Sequence, residues 1–121
     1  MELKVIEREM SICKIKDISQ VNFEDTFCFV AKTDEELSLV CASDQVPADC
    51  LSCDDGWRGF RIMGTLEFST VGILAKLTTV LANARIGLFV IRTFHTDYVL
   101  VKKEKFDEAV NVLEMGGYMF V

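Results

Sequence analysis

With 121 residues, half of them hydrophobic, one proline and seven glycines, the chain can bury a real core, as one compact unit or two small ones, and lacks the composition of a disordered segment. Thirteen basic against nineteen acidic side chains leave a net charge of −6, which repels phosphate backbones and argues against a nucleic-acid partner. No apolar run approaches the roughly 20 residues of a membrane-spanning helix, and the opening MELKVIERE lacks the basic-then-apolar order of a signal peptide, so a cytoplasmic location without membrane attachment is expected.

In the first half, LKVIEREMSICKI, DTFCFVAKT and EELSLVCA alternate well enough to be strands, and VNFED and VPADC are the candidates for short helices. The five cysteines, Cys13, Cys28, Cys41, Cys50 and Cys53, are an odd number, and several sit among apolar neighbours, where cysteine acts as a small hydrophobe. Cys50 and Cys53 have C-x-x-C spacing, but a structural zinc site needs four ligands and the single histidine, His95, is far off in sequence. DCLSCDDG also does not resemble the start of a βαβ redox motif, so a surface loop with two reduced thiols is expected, with no metal and no cofactor.

From Trp57 onward the pattern sharpens. RGFRIMG, residues 58–64, places Phe60 and Ile62 on one face of a strand. Ser69 or Thr70 can then cap a helix in which Val71, Leu74, Leu77, Leu81 and Ala84 recur at helical spacing, stopping near Arg85 because Gly87 follows. Leu88 to Phe94 and Tyr98 to Lys102 read as two strands of a hairpin, with His95, Thr96 and Asp97 in the turn. Phe106, Ala109, Val110 and Leu113 mark a second amphipathic helix ended by Gly116 and Gly117, and YMFV closes as a strand. Strand, helix, strand, strand, helix, strand is the split βαβ order of ferredoxin-like α+β folds.

FVAKT at Phe29 to Thr33 is echoed by FVIRT at Phe89 to Thr93, and KTDEELSLV parallels RTFHTDYVLV with one residue's difference in loop length. Two related βαββαβ modules are therefore expected in tandem, 1–56 and 57–121, the N-terminal one with short or degenerate helices.

The stretch from Gly56 to Val101, GWRGFRIMGTLEFSTVGILAKLTTVLANARIGLFVIRTFHTDYVLV, resembles ACT domains of the CASTOR type, found in small bacterial tandem-ACT proteins and in eukaryotic arginine sensors. The likeness lies in Gly64, Leu66, Phe68, Gly72, Leu74, Leu81, Thr93, Phe94, Thr96 and Asp97, and extends upstream to Glu36–Val40. It implies a non-catalytic regulatory module that binds an amino acid at the interface between ACT units. Its ligand-binding positions are Phe68, Ser69, Thr70, Val71 and Gly72 before the helix, and Thr96 and Asp97 at the hairpin. Two residues depart from the pattern: Thr70 stands where arginine sensors of this kind carry an acid, and Arg92 where relatives often have serine.

The same positions have a chemical reading of their own. The backbone N–H groups of a helix start suit a carboxylate above Thr70, Val71 and Gly72, and Asp97 can accept hydrogen bonds from an α-ammonium group, a match for a zwitterion. The plainer alternative is that Ser69 and Thr70 only cap the helix, Gly72 permits close packing and Asp97 shapes its turn. Glu67 and Arg92 can pair with each other or touch a ligand's side chain, and His95 is assigned no role. One histidine assembles no nucleophile-and-base pair, and GTLEFSTVG lacks the arginine of an acylphosphatase loop, so no catalytic residue is expected. RNA-recognition modules display several stacking aromatics, where TDYVLVKKE offers Tyr98 alone. The rival reading is a ligand-free interaction module that forms a homodimer by pairing an edge strand such as YMFV.

Overall fold

The computed structural model of the chain describes residues 1–63 and 72–121, which form two compact units: Arg8–Trp57, and Met1–Glu7 with Arg58–Val121. Two long strands, β1 (Glu2–Lys14) and β4 (Ser52–Ile62), each give one half to each unit.

In the 8–57 unit, β2 (Cys28–Lys32) and β3 (Leu37–Ala42) form an antiparallel hairpin, and the strand order is β2-β3-β1-β4. Met10 to Lys14 of β1 pair antiparallel with β3, Met10 opposite Ala42 and Lys14 opposite Ser38. The interior strand β3 is the most buried of them, and Leu39 and Cys41 pack with Cys13 and Ile15 against Val21, Val30 and Val46. The helical connections shrink to single 3-10 turns, Ile18–Gln20 and Ser43–Gln45. They do not fall at VNFED or VPADC as expected. Asp17 accepts from the Ser19 amide at 2.8 Å while Gln20 accepts from the Asp17 amide at 3.0 Å, a reciprocal cap that nucleates the turn earlier. The Asn22 side chain then accepts from the Glu24 amide, bending VNFED into a turn instead.

The second unit carries α1 (Ile73–Asn83), β5 (Leu88–Arg92), β6 (Asp97–Lys102), α2 (Phe106–Met115) and β7 (Met119–Phe120). Its strand order is β7-β1-β4-β6-β5, with β5 and β6 antiparallel and Arg92 opposite Asp97. The α+β character and the split βαβ element order agree with the sequence reading. The last strand differs: β7 pairs in parallel with the start of β1, Glu2 opposite Met119, so β1 lies between β7 and β4. YMFV is therefore paired within the chain through Met119 and Phe120. Leu77 and Leu81 of α1 and Phe106, Ala109 and Leu113 of α2 bury into one cluster with Leu3, Phe60, Ile62, Val99 and Val101. The spacing of three and four that predicts the helices is what brings these residues onto one face.

Both helices end in the same hydrogen-bond motif. After α2, Gly117 is left-handed at φ 95°, and the Tyr118 amide donates to Leu113 O at 3.0 Å. After α1 the left-handed residue is Arg85, φ 61°, with the Ile86 amide on Leu81 O, so Gly87 is not the stop signal. No helix among the described residues is long and apolar enough to cross a membrane.

Candidate functional site

Four of the expected site residues, Phe68, Ser69, Thr70 and Val71, lie outside the described residues, as does Glu67. Gly72 is the N-cap of α1, in the left-handed region at φ 95°, with its carbonyl accepting from the Lys76 amide at 2.8 Å. It stands before the helix as the N-cap residue and has no side chain to cap with; the expected caps, Ser69 and Thr70, lie outside the described residues. Among the described residues a Cβ at this position would meet nothing within 4 Å, and the left-handed backbone angle is one that glycine adopts without strain. A cavity of about 220 Å³ opens at the first turn of α1, lined by Met1, Ile73, Lys76, Gly116, Gly117 and Tyr118, without Thr96 or Asp97.

The hairpin end of the site is fully described. Residues 93–96 make the turn between β5 and β6, closed by the Thr93 amide and hydroxyl, both donating to Thr96 O at 2.9 Å. Thr96 is buried, and its hydroxyl donates to Ile62 O, the end of β4, at 2.7 Å. This bond pins the turn to the next strand. Asp97 follows as the first residue of β6 and not as a turn residue, and its exposure is 0 %. Its Oδ2 accepts from Arg92 Nη2 at 2.8 Å, whereas Oδ1, equally buried, has no hydrogen-bond partner among the described residues. Arg92 keeps 45 % of its side chain exposed. Among the described residues, then, one of the two oxygens of the buried Asp97 carboxyl is bonded and the other is not. The Thr96 hydroxyl sits at the end of β4, and Arg92 pairs with Asp97, a partner the sequence reading did not give it; the expected partner Glu67 lies outside the described residues. His95 is exposed and packs edge-on against Phe94, which is 79 % exposed.

The 8–57 unit has a matching hairpin. Lys32 stands opposite Leu37 as Arg92 stands opposite Asp97, and the Thr33 amide donates to Glu36 O at 2.9 Å, as Thr93 does to Thr96. The two turns are equal in length, correcting the one-residue difference read from the sequence. Between this hairpin and residues Lys16–Ile18 lies a cavity of about 560 Å³ whose wall includes Val30, Lys32, Thr33 and Leu37.

The cysteines sit differently from the loop expected for them. Cys53 lies in β4 with its Sγ 3.4 Å from that of Cys13, and Cys50 packs against the small core of the unit. Cys53 also donates to Asp55 Oδ1 at 3.1 Å, and the same oxygen accepts from the buried Ser11 hydroxyl, itself 2.7 Å from Ser43 Oγ. Sequence spacing missed this row because Cys13 and Cys53 meet across strands. Burial pushes the Cys13 and Cys41 thiols up to about 11; burial, then Asp55 and Cys13, push Cys53 up to about 12. All three are thiols at neutral pH and hence poor nucleophiles. Among the described residues no group of three or more His, Cys, Asp or Glu side chains is placed to hold a metal ion.

Residues 52–115, more than half of the chain, match the family model described as ACT domain. Among solved structures, the chain is similar to an Agobacterium tumefaciens protein, with 27 % identity, a TM-score of 0.88, and 99 % of this chain and 91 % of that one covered. A Vibrio cholerae protein of unknown function, described as a possible transport protein, aligns at 21 % identity and TM-score 0.73, over 94 % and 88 % of the two chains. The regulatory subunit of aspartate kinase from Thermus thermophilus, in its ligand-free form, aligns at 12 % identity and TM-score 0.67 over 93 % and 94 %. These last two likenesses are of fold. No curated protein matches the chain.

Proposed function

The chain belongs to the ACT-domain family, and from that premise we propose that it is a non-catalytic regulatory module whose ligand is an amino acid or similar small zwitterion. The ligand's carboxylate is held by backbone N–H groups above Thr70, Val71 and Gly72, with Phe68 and Ser69 among the other ligand-binding positions. Its ammonium is held at the hairpin by Asp97, beside Thr96. The observation that carries this reading is Asp97 Oδ1, a fully buried carboxylate oxygen without a partner among the described residues. Leaving such an acceptor unsatisfied costs about 1–3 kcal/mol, and ligand and redox sites are where folded proteins retain such groups. A ligand ammonium that displaces the protein's own cover over Oδ1 recovers that cost.

The reading extends to a tandem of CASTOR type, modules 1–56 and 57–121, with the ligand at their interface. Two hairpins in the same register sixty positions apart support a repeat. So does the strand order β2-β3-β1-β4, the ferredoxin-like order in a unit whose helices have shrunk to 3-10 turns. The cavity beside the first hairpin supports the corresponding location for a ligand beside the second. One observation favours a second reading, a ligand-free module that dimerises by sheet extension: β5 ends its unit's strand order and is LFVIR, apolar except for Arg92.

A thermal-shift screen of the full chain against the proteinogenic amino acids separates the two. A ligand at a hundredfold excess over its Kd stabilises the native state by about 2.7 kcal/mol, and Asp97→Asn should abolish the shift. If no amino acid raises the melting temperature, and Asp97→Asn changes only the oligomeric state, the interaction reading replaces this one.

A further inference from the structure

Independently of the amino-acid reading, we propose that Cys13 and Cys53 form an oxidisable dithiol, a site of reversible modification that a small-molecule disulfide converts into a cross-strand disulfide bond. The two residues lie on β1 and β4, which are neighbours in the sheet, and their Sγ atoms are 3.4 Å apart. The same alignment recurs two residues along each strand, where Ser11 bonds Asp55 at 2.7 Å, as a period of two requires of facing positions. Neighbouring strands run about 4.8 Å apart, and a disulfide spans Cα separations of roughly 4.4–6.8 Å. Side-chain rotation therefore closes the gap to an S–S bond of about 2.05 Å, with no rearrangement of the sheet.

The pair is asymmetric in a way that assigns the steps. Cys53 is exposed and Cys13 is buried, and a cavity of about 250 Å³ opens on both, with Lys14, Glu36 and Asp54 also in its wall. Cys28 and Cys41 stand opposite each other on β2 and β3, but Cys41 is buried and Cys28 half-buried, so a reagent meets Cys53 first. The Cys53 thiolate attacks one sulfur of the small disulfide: a new S–S bond forms, the reagent's own S–S bond breaks, and one small thiol leaves with the proton that Cys53 gave up. Cys13 then attacks Cys53 Sγ and expels the second small thiol, which takes the Cys13 proton. Two protein thiols are oxidised and one small disulfide is reduced to two thiols, with no further reactant. The grip of burial and Asp55 on the thiol protons makes entry slow at neutral pH, so the pair follows a sustained redox poise and not a brief pulse of oxidant. Glu36, Asp54 and Asp55 outnumber Lys14 around the pair, which favours a cationic reagent over an anionic one.

The test incubates the reduced full chain with cystamine at mildly alkaline pH, quenches with acid, alkylates the remaining thiols in denaturant and maps the peptides by mass spectrometry. The wild type is expected to lose two of its five alkylatable thiols, to yield a peptide linked through Cys13 and Cys53 without a retained cysteamine adduct, and to recover all five with dithiothreitol. Cys53→Ser should yield no linked peptide, and Cys13→Ala should stop at a mixed disulfide on Cys53. Because Cys13 is buried, the wild-type map and Cys53→Ser decide if Cys13→Ala does not fold. A wild type that stops at the adduct on Cys53, links a different pair or keeps all five thiols overturns the proposal, as does a Cys53→Ser chain that cross-links as readily as the wild type.

Discussion

Replacing Thr96 by valine removes one hydroxyl and little volume, and so probes the bond that pins the β5–β6 turn to the end of β4. In the wild type that hydroxyl donates to Ile62 O at 2.7 Å from a residue only 8 % exposed. The variant takes that donor away from the Ile62 carbonyl at a buried position, which costs about 2 kcal/mol, in the middle of the range for a buried polar group that loses a partner. That is roughly a thirtyfold fall in the folding constant. At about 2.1 cal/mol/K of unfolding entropy per residue, it lowers the melting temperature by roughly 8 °C. Urea unfolding followed by circular dichroism measures this directly, with the slope expected unchanged because the surface exposed on unfolding is the same. Thr96→Ser keeps the hydroxyl and should recover most of the loss. Thr33→Val supplies an internal control, since its hydroxyl bonds, 3.5 Å to Glu36 O and 3.2 Å from the Glu35 and Glu36 amides, are all exposed and water replaces them, so a change within about 0.5 kcal/mol is expected. If Thr96→Val is as mild as Thr33→Val, or Thr96→Ser as damaging as Thr96→Val, the turn is not anchored by this bond.

Other substitutions test the packing and the electrostatics. At the buried Gly59 an added Cβ would stand 2.3 Å from Leu100 Cδ2 and 2.9 Å from Val99 O; the leucine can give but the backbone carbonyl cannot, so Gly59→Ala should cost about 1–3 kcal/mol in urea unfolding. Arg85 closes α1 at φ 61°, and Arg85→Gly should stabilise by about 0.5–1 kcal/mol, in contrast to the usual loss when glycine is introduced. Cys53 is exposed, yet its thiol is held up to about 12, so iodoacetamide should label it slowly at pH 7.5 and faster with each rise in pH toward that value. Asp55 raises the Cys53 value by accepting a hydrogen bond from the protonated thiol, so Asp55→Asn should move the labelling profile to lower pH; a profile that stays put would show that Asp55 does not set it.

The charge of the Arg92–Asp97 locus explains why the candidate site was only half legible in the sequence. Residue types at a turn, T-x-x-T-D, are consistent with capping, with turn geometry or with ligand binding, because the same side-chain oxygens serve all three. What separates them is whether an oxygen is buried and whether it is already satisfied. Asp97 is buried and, among the described residues, half satisfied, a fact that depends on a strand pairing five residues away in sequence and on burial by residues much further off. Cys53 is a parallel case. Its spacing from Cys50 suggested a loop, but its neighbour is Cys13, forty positions earlier.

The sequence by itself determined the α+β element order of the second half, the two amphipathic helices and the hairpin between them, because helix and strand periodicity are local and each apolar face is written within about a dozen residues. It also disclosed the repeat of the two hairpins, since each is closed within its own turn. Only the tertiary structure decided that β7 pairs with β1, that VNFED turns where a helix was expected, and that Asp97 is sealed from water against Arg92. Pairing and burial are set by segments distant in the chain competing for the same edge or the same interior, and no window of sequence contains both competitors.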